Sequence, residues 1–141
     1  MSITNLKNLK EKRVEVIELL NQLTNAPMIN SENFDNIIDN LGNNHNIYVY
    51  IKNNKVVGII TLLIEPKIIH NGSNVAHIED LVVDKKYKNM GIGNELIKFC
   101  LNQISENNCY KVILNCSNDL KKYYEKFGFL EKNIQMAIYL N

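Results

Sequence analysis

The sequence is short of the residues that build disulfide frameworks and metal sites. It has only three cysteines, Cys100, Cys109 and Cys116, without any C-x-x-C pair, which disfavours a disulfide framework. Its three histidines form no cluster with metal-ligand spacing, so a structural zinc site is disfavoured on the same ground. We therefore expect free thiols and no metal.

Long apolar runs and an excess of one charge are also missing. No stretch approaches the roughly 18–20 apolar residues that span a bilayer, and residues 1–10 lack the apolar segment of a signal peptide. The 16 Lys and Arg nearly balance the 15 Asp and Glu, which disfavours a protein whose main task is to bind nucleic acid. We expect a soluble, cytoplasmic protein with neither nucleic acid nor membrane as a partner.

The length and the apolar content indicate one compact domain, residues 1–141. A chain of 141 residues that is 45% hydrophobic has the material for a substantial core. Apolar residues at helical spacing predict two amphipathic helices, over 11–23 and over 32–41. Ser31 is the expected N-cap of the second helix.

The apolar period then changes to two, which is typical of strands. We predict an antiparallel hairpin from 47–51 and 55–65, with a tight turn at Asn53-Asn54, and a third strand over 75–84. A polar loop, a helix over 91–107, a strand over 110–116, a short helix over 117–126 and final strands over 129–130 and 133–140 follow. This order predicts an α/β (α+β) fold with a mixed, mostly antiparallel sheet flanked by helices.

The most informative segment is the glycine-containing loop that opens the helix over 91–107. Gly91 and Gly93 let the backbone come close to a ligand, and the free N–H groups of a helix start attract an anion such as a diphosphate. Nearby lysines, among them Lys88, agree with that interpretation. The loop has neither the Gly-Lys-Ser/Thr ending of a Walker A motif nor the third glycine of the dinucleotide fingerprint. By itself it is equally compatible with an ordinary helix start.

A second motif lies about 30 residues downstream, the segment Tyr123-Tyr124-Glu125-Lys126-Phe127-Gly128-Phe129. Together with Lys88-x-x-Gly91-x-Gly93, a helix and a strand, it resembles the acetyl-CoA-binding core of the GNAT N-acetyltransferases. That family writes the loop as Arg/Gln-x-x-Gly-x-Gly/Ala, so Lys88 is a conservative departure. The resemblance implies a GNAT fold whose acetyl-CoA loop joins strand 4 to helix 3, acetyl-CoA as the co-substrate, and no metal.

Within this superfamily the chain is similar to the glucosamine 6-phosphate N-acetyltransferases. The similarity runs from about residue 14 to the end and rests on the segments 19–24, 65–70, 77–83 and 109–114. It implies transfer of the acetyl group of acetyl-CoA to the 2-amino group of glucosamine 6-phosphate, a step on the route to UDP-N-acetylglucosamine. It also implies a homodimer with composite active sites.

The resemblance also implies roles for individual residues. The backbone of 81–83 would pair with the pantetheine arm like an added strand, 89–94 would cradle the pyrophosphate, and the hydroxyl of Tyr124 would stabilise or protonate the leaving thiolate. The implied cofactor-binding residues are Leu81, Val82, Val83, Lys88, Asn89, Met90, Gly91, Ile92, Gly93, Asn94, Tyr124 and Lys126. The implied substrate-binding residues are Thr24, Lys67, His70, Glu79, Asp80, Tyr110, Lys111 and Asn115. The implied catalytic residues are Tyr124, Glu79, Asp80 and Asn115.

Four positions depart from the pattern of the family. Tyr139 stands where relatives typically have an Arg that contacts the substrate phosphate. Asn115 replaces an acid, and Ala76 and Asn89 replace glycines. The cations left for the phosphate are Lys67, His70 and Lys111. Because of Tyr139, another small amine or a peptide amine stays open as the acceptor. A CoA-binding module without turnover stays open as a separate alternative.

Some of these residues also have a purely structural interpretation. We expect Cys116 to be a small buried residue rather than a nucleophile, which would need a base and a low pKa. Adjacent strand residues point to opposite faces, so one of Glu79 and Asp80 would be buried at a cost, which favours a functional role for the pair. His77 is as compatible with packing on the sheet as with function, and Thr24 with a helix-end hydroxyl.

Overall fold

The computed structural model describes residues 2–141, in which five strands form one sheet. The strands are β1 (Ser2–Asn5), β2 (His45–Lys52), β3 (Lys55–Pro66), β4 (Asn74–Val83) and β5 (Cys109–Ile113). They lie in chain order across the sheet. The first four are antiparallel to their neighbours, and β5 runs parallel to β4. The predicted mixed, mostly antiparallel sheet is therefore confirmed.

Four α-helices flank the sheet. They are α1 (Arg13–Leu20), α2 (Ser31–Asp39), α3 (Ile92–Ser105) and α4 (Lys121–Glu125). Short 3-10 turns cover Leu6–Asn8, Lys10–Lys12, Lys85–Tyr87 and Asn118–Leu120. The hairpin between β3 and β4 contains one further turn, Ile69–Gly72, in which His70 and Asn71 have left-handed backbone conformations.

The sheet separates two apolar cores, one on each face. On one face α3 buries the residues that recur at helical spacing, and Leu96, Ile97 and Cys100 have no exposed surface. On the other face α1 and α2 pack Val16, Ile17, Leu19, Phe34 and Ile38 against the sheet. Burial of side chains of this size is the main source of stability, on the order of 1.5–3 kcal/mol each.

Gly58 of β3 sets the distance between α3 and the sheet. A Cβ at this position would lie 3.0 Å from Ile92 Cγ2, 3.0 Å from Leu96 Cδ1 and 3.3 Å from Tyr50 Cβ. Ile92 is the first residue of α3, so the missing side chain lets the start of this helix lie directly on the sheet. The position of the helix start, and of the loop before it, depends on that contact.

The hairpin between β2 and β3 was predicted from Asn53-Asn54 and is confirmed. Both residues have positive φ, 51° and 62°, as the two central residues of a type I′ turn require, and asparagine tolerates this conformation better than most residues. Strand β1 was not predicted. It is four residues long and pairs with the edge of β2, from Ser2 opposite Ile51 to Asn5 opposite Tyr48.

Other boundaries differ from the predictions. The helix predicted over 11–23 is α-helical only over Arg13–Leu20. The N-cap of α2 is Asn30 and not Ser31: the Asn30 side chain accepts a 2.8 Å bond from Asn33 N.

The final strands predicted over 129–130 and 133–140 are wrong for this chain. The residues from Phe129 to the C-terminus belong to no strand. A strand needs a hydrogen-bonding neighbour, and the described residues of this chain do not supply one to this segment.

We predict that Gly58→Ala destabilises the protein by about 1–3 kcal/mol, because the added methyl group meets two side chains of α3 at 3.0 Å in a close-packed core. Urea unfolding followed by circular dichroism measures the effect. Gly42→Ala is the matched control, since a Cβ at Gly42 meets nothing within 4 Å. Equal stability of the two variants would show that α3 does not depend on this contact.

Candidate active site

Strand β4 leaves β5 halfway along its length. The parallel pairing runs from Asn74 opposite Cys109 to His77 opposite Ile113 and ends there, while β4 continues beside β3 to Val83. The two strands therefore separate, and the second half of β4 turns an edge of backbone N–H and C=O groups to the gap. Such an edge can pair with an extended ligand as a further strand would.

A β-bulge lies at the point where the strands separate. Glu79 pairs with Thr61 and Val82 with Ile59, so two residues of β4, Asp80 and Leu81, stand opposite one residue of β3. Asp80 has the left-handed φ of 51°, a strained conformation for a residue with a side chain. The bulge breaks the alternation of side chains, and Glu79 and Asp80 are both exposed. The expectation that one of them would be buried was therefore wrong.

The loop after β4 ends in an uncapped helix start. Asp84 accepts a 3.0 Å bond from Lys86 N and begins the loop. Asn89 (φ 63°) and Gly91 (φ 80°) then turn the chain into α3, where Gly91 occupies the N-cap position without any side-chain hydrogen bond. The first N–H groups of a 14-residue helix are thus left for an external acceptor, and the helix dipole favours an anion there.

The free half of β4, this loop and α4 enclose a cavity of about 810 Å³. Eleven of the twelve predicted cofactor residues line it; the exception, Met90, is 55% exposed, and its Sδ lies 3.8 Å from Lys52 Nζ. Three further residues that the sequence did not point to complete the wall. The lining residues are Leu81, Val82, Val83, Lys88, Asn89, Gly91, Ile92, Gly93, Asn94, Tyr124 and Lys126, together with Tyr87, Leu120 and Tyr123.

Tyr124 is the most deeply buried titratable group of this wall. Its side chain lies in α4, packs edge-on against Tyr123 and Phe129, and has only 8% of its surface exposed. Burial raises the pKa of Tyr124 from its ordinary 10.0 to about 12, with smaller contributions from Tyr123 and Cys116. The hydroxyl is therefore protonated at all physiological pH values and can act as a hydrogen-bond donor.

The predicted substrate cations lie at the other end of β4, in two clusters. Lys67 Nζ lies 3.3 Å from one oxygen of Glu65, whose other oxygen lies 2.9 Å from His77 Nε2. These two partners hold the pKa of Glu65 below its usual range. His77 therefore has a polar partner and does not merely pack on the sheet.

The second cluster is built on Tyr110. The ring of His70 stacks on the Tyr110 ring with 3.9 Å between centroids, and Lys111 Nζ lies 5.7 Å from the centroid of the same ring. Lys111 is level with Val75 of β4, four residues before Glu79. At 3.2–3.4 Å per residue this is about 13 Å from the bulge, so the structure brings His70 and Lys111 together on Tyr110 but does not bring them directly to the predicted carboxylates.

The remaining predicted residues are exposed. Asn115 lies two residues beyond the end of β5, and Thr24 lies just after α1, where its N–H bonds to Leu20 O at 3.0 Å. Cys116 is exposed, which corrects the expectation of a buried residue. The buried thiol is instead Cys100, whose pKa burial raises to about 12, so it is not available as a nucleophile.

The bulge also borders a smaller cavity on the opposite face of the sheet. This cavity of about 470 Å³ lies between α1, α2 and the sheet, and its lining is apolar apart from a few residues such as Thr61 and Asp80. Asp80 thus faces α1 and α2, whereas Leu81 lines the larger cavity. The two adjacent residues of the bulge therefore line cavities on opposite faces of the sheet.

Neither a metal site nor a membrane-spanning helix is found in the described part of the chain. Within residues 2–141, no three His, Cys, Asp or Glu side chains are grouped so that they could hold a metal ion. No helix in the same range has the length and apolar character needed to cross a bilayer.

Three features together indicate the class of protein to which the chain belongs. They are the separation of β4 from β5, the bulge in β4 and the uncapped start of α3. The chain matches the model of the acetyltransferase (GNAT) family over residues 13–129, and it belongs to this family. Members of the family use acetyl-CoA as the co-substrate, and the cavity beside β4 has the edge and the anion site that such a molecule requires.

Curated relatives that match most of the chain belong to one group within the family. A glucosamine 6-phosphate N-acetyltransferase of Arabidopsis thaliana is 35% identical over 138 residues, covering 94% of this chain and 93% of its own. That of Trypanosoma brucei brucei is 36% identical, covering 86% and 85%. The crystal structure of the glucosamine-6-phosphate N-acetyltransferase from Arabidopsis thaliana aligns with a TM-score of 0.93 at 33% identity, covering 99% and 98% of the two chains.

We predict that the wild-type protein loses more stability than Tyr124→Phe when the pH is raised from about 8 to about 11. A tyrosine with a raised pKa binds its proton more tightly in the folded than in the unfolded state, so stability falls as pH rises above the unfolded value near 10. Urea midpoints over this range measure the effect. The buried thiol of Cys100 acts in the same direction in both proteins and cancels; parallel curves would contradict the raised pKa of Tyr124.

Proposed function

We propose that this chain transfers the acetyl group of acetyl-CoA to the 2-amino group of glucosamine 6-phosphate, giving N-acetylglucosamine 6-phosphate and CoA. The observation that carries the proposal is the bulge of β4, which puts two exposed carboxylates, Glu79 and Asp80, beside the free edge of the strand. Relatives that match almost the whole chain are named for this reaction.

Acetyl-CoA fits the larger cavity in one direction. The free backbone edge of 81–83 pairs with the amides of the pantetheine arm, and the N–H groups at the start of α3 bind the pyrophosphate. Lys88 and Lys126 line the same cavity and supply positive charge to the phosphates. In this orientation the thioester lies at the end of the cavity that is formed by Leu81 and Tyr124, next to the bulge.

The residue types support direct attack of the amine on the thioester. The attacking nitrogen must be neutral, and Glu79 or Asp80 receives the proton that the ammonium group gives up. A backbone N–H near Leu81 and Val82 stabilises the oxyanion that develops at the carbonyl. The new C–N bond forms as the C–S bond breaks, so no covalent enzyme nucleophile is needed, in agreement with the burial of Cys100.

Tyr124 acts on the leaving thiolate as a hydrogen-bond donor. Its pKa of about 12 is well above that of an alkyl thiol, which is about 8.5 in an ordinary cysteine. The proton is therefore held more tightly by the phenol than by the sulfur, and it stays on Tyr124 while the hydroxyl stabilises the thiolate. Asn115, just beyond β5, offers an amide and a backbone carbonyl to the acceptor.

Lysine and histidine take over the recognition of the substrate phosphate. The only arginine of the chain is Arg13, whose Nη1 donates a 2.6 Å bond to Ile29 O and thereby ties α1 to the loop before α2. Lys67 and Lys111 remain as cations near the N-terminal end of β4, together with the imidazole of His70 and the Tyr110 ring on which it stacks. Thr24 adds a hydroxyl from the end of α1.

We predict rapid thiol release from acetyl-CoA with glucosamine 6-phosphate and little release with unphosphorylated glucosamine. Tyr124→Phe lowers kcat on the order of 100-fold, because the donor to the thiolate is lost. Tyr48→Phe, at another buried tyrosine that lies outside the cavity, is the matched control. A preference for an unphosphorylated amine would identify a different acceptor, and CoA binding without thiol release on any amine would identify a binding module.

We also propose that the chain forms a homodimer through its C-terminal segment. Ile134, Met136, Ile138 and Leu140 are 85–89% exposed and alternate along the chain, so in an extended conformation they form one apolar face. Such a face is costly in water and indicates a partner surface. A second copy of the chain is the proposed partner, because the separation of cations and carboxylates along β4 then permits one protomer to complete the site of the other.

We predict that replacing Ile134, Met136 and Ile138 by Asn converts a dimer into a monomer, since the apolar face is lost. Light scattering after size exclusion measures the mass in solution. The control replaces Asn133 and Gln135, on the opposite face of the same segment, by Ser. A monomeric wild-type protein, or a triple variant that remains dimeric, would contradict this interface.

The reducing interior of the cell is the proposed place of the reaction. Cys100, Cys109 and Cys116 are all free, which is typical of proteins of the cytoplasm.

A further inference from the structure

Tyr123 connects α4 to the first turn of α3 across the acetyl-CoA cavity. Its hydroxyl donates a 2.9 Å hydrogen bond to Asn94 Oδ1. Its ring packs edge-on against Tyr124, with 5.1 Å between centroids, and against Phe127, with 5.5 Å. The side chain lines the cavity, and burial raises its pKa above the ordinary range, so the hydroxyl keeps the proton that it donates.

The same hydroxyl explains why position 93 has no side chain. A Cβ at Gly93 would lie 2.8 Å from the Tyr123 oxygen, whereas the next nearest atoms, Tyr123 Cζ and Val83 Cγ2, are both 3.8 Å away. The first distance is too short for two such atoms, and the second is ordinary van der Waals contact. The hydroxyl oxygen alone therefore excludes a methyl group at this position.

The two glycines of the loop are thus required for different reasons. Gly91 has a φ of 80°, and a Cβ there would meet nothing within 4 Å, so its requirement is conformational. Gly93 lies in the helix with an ordinary φ, and its requirement comes from the contact with Tyr123. The tyrosine at position 123 thus requires a glycine at position 93, and we call this pair the steric unit.

The hydrogen bond also determines what Asn94 can offer to a ligand. The amide oxygen is directed to the Tyr123 hydroxyl, so the amide nitrogen with its two donors is directed away from Tyr123. Asn94 is the third residue of α3, beside the free N–H groups of the helix start. The two donors of a fixed amide nitrogen at this place suit a phosphate oxygen.

We propose that Tyr123 is a positioning residue for acetyl-CoA: it holds the Asn94 amide with its donors toward the diphosphate and, through its ring, holds Tyr124. The inference rests on the proposed use of acetyl-CoA but not on the identity of the acceptor. Removal of the hydroxyl frees the amide to rotate, which weakens binding of the diphosphate while the sites of the carboxylates and the amine are untouched.

A double-mutant cycle of Tyr123→Phe and Gly93→Ala tests the proposal. Dissociation constants for CoA come from isothermal titration calorimetry, and Tm, kcat and both KM values are measured on the same proteins. We expect Tyr123→Phe to weaken CoA binding about two- to tenfold, the factor that one neutral hydrogen bond supplies. It should raise KM for acetyl-CoA by the same factor and leave Tm and KM for the amine unchanged.

The decisive result is the effect of Gly93→Ala on Tm and on CoA binding, which should differ between the wild-type and the Tyr123→Phe backgrounds. With Tyr123 present, Gly93→Ala should lower Tm and weaken CoA binding by about tenfold or more, because the methyl group pushes the first turn of α3 away. In the Tyr123→Phe background the obstructing oxygen is gone, and alanine is the better helix residue. There Gly93→Ala should leave CoA binding unchanged and Tm equal or higher.

Tyr48→Phe serves as the control background, since this buried tyrosine lies outside the cavity and should not rescue Gly93→Ala. Equal costs of Gly93→Ala with and without the Tyr123 hydroxyl would overturn the steric unit. Unchanged CoA affinity in Tyr123→Phe would overturn the positioning role. A wild-type protein that binds CoA but acetylates no amine would overturn the proposed function and leave this inference standing, whereas one that does not bind CoA would overturn both.

Discussion

Strand β4 is paired with β3 along its whole length and with β5 along only its first half, and this unequal pairing is the constraint on which the site depends. Where the pairing with β5 ends, the bulge at Asp80 turns the strand and frees its edge. Glu79 and Asp80, the free backbone edge of 81–83 and the glycine-containing loop that opens α3 all lie within fifteen residues of this point. Asp80 keeps its strained left-handed conformation because the antiparallel pairing of β4 with β3 holds the backbone on both sides of it.

The start of α3, which we propose as the binding site of the pyrophosphate, is positioned by contacts on two sides. Gly58 lets its first turn lie on the sheet, and Tyr123 holds the same turn from α4. Each contact depends on a glycine, one in the strand and one in the helix, because each leaves room for the side chain of the opposite element. The arrangement places the anion site between two rigid supports, which is the preorganisation that binding of a flexible cofactor requires.

A single chain does not bring together the carboxylates and the cations that we propose to bind the acceptor. Its carboxylates lie at the bulge, and its cations lie about 13 Å away at the start of β4. The C-terminal segment leaves four alternating apolar side chains, Ile134, Met136, Ile138 and Leu140, exposed. The second protomer that we propose would account for both facts, since the segment then has a surface to cover and the two halves of the site can come from different chains.

Local patterns were enough for much of this protein. The period of apolar residues predicted both long strands of the hairpin and the helix α3, and Asn53-Asn54 predicted the turn. The resemblance carried by Lys88-x-x-Gly91-x-Gly93 and the segment 123–129 implied eleven of the residues that line the larger cavity. These features are short in sequence, so the chemistry of neighbouring residues decides them.

The bulge, the burial of Tyr124 and the bond from Tyr123 to Asn94 were decided by the tertiary structure. Each joins residues of different elements, and its energy depends on packing and hydrogen bonds that exist only once the sheet has formed. The C-terminal residues show why a local pattern is not always sufficient. Their alternating apolar pattern predicted a strand, but a strand forms only when another strand is there to pair with it.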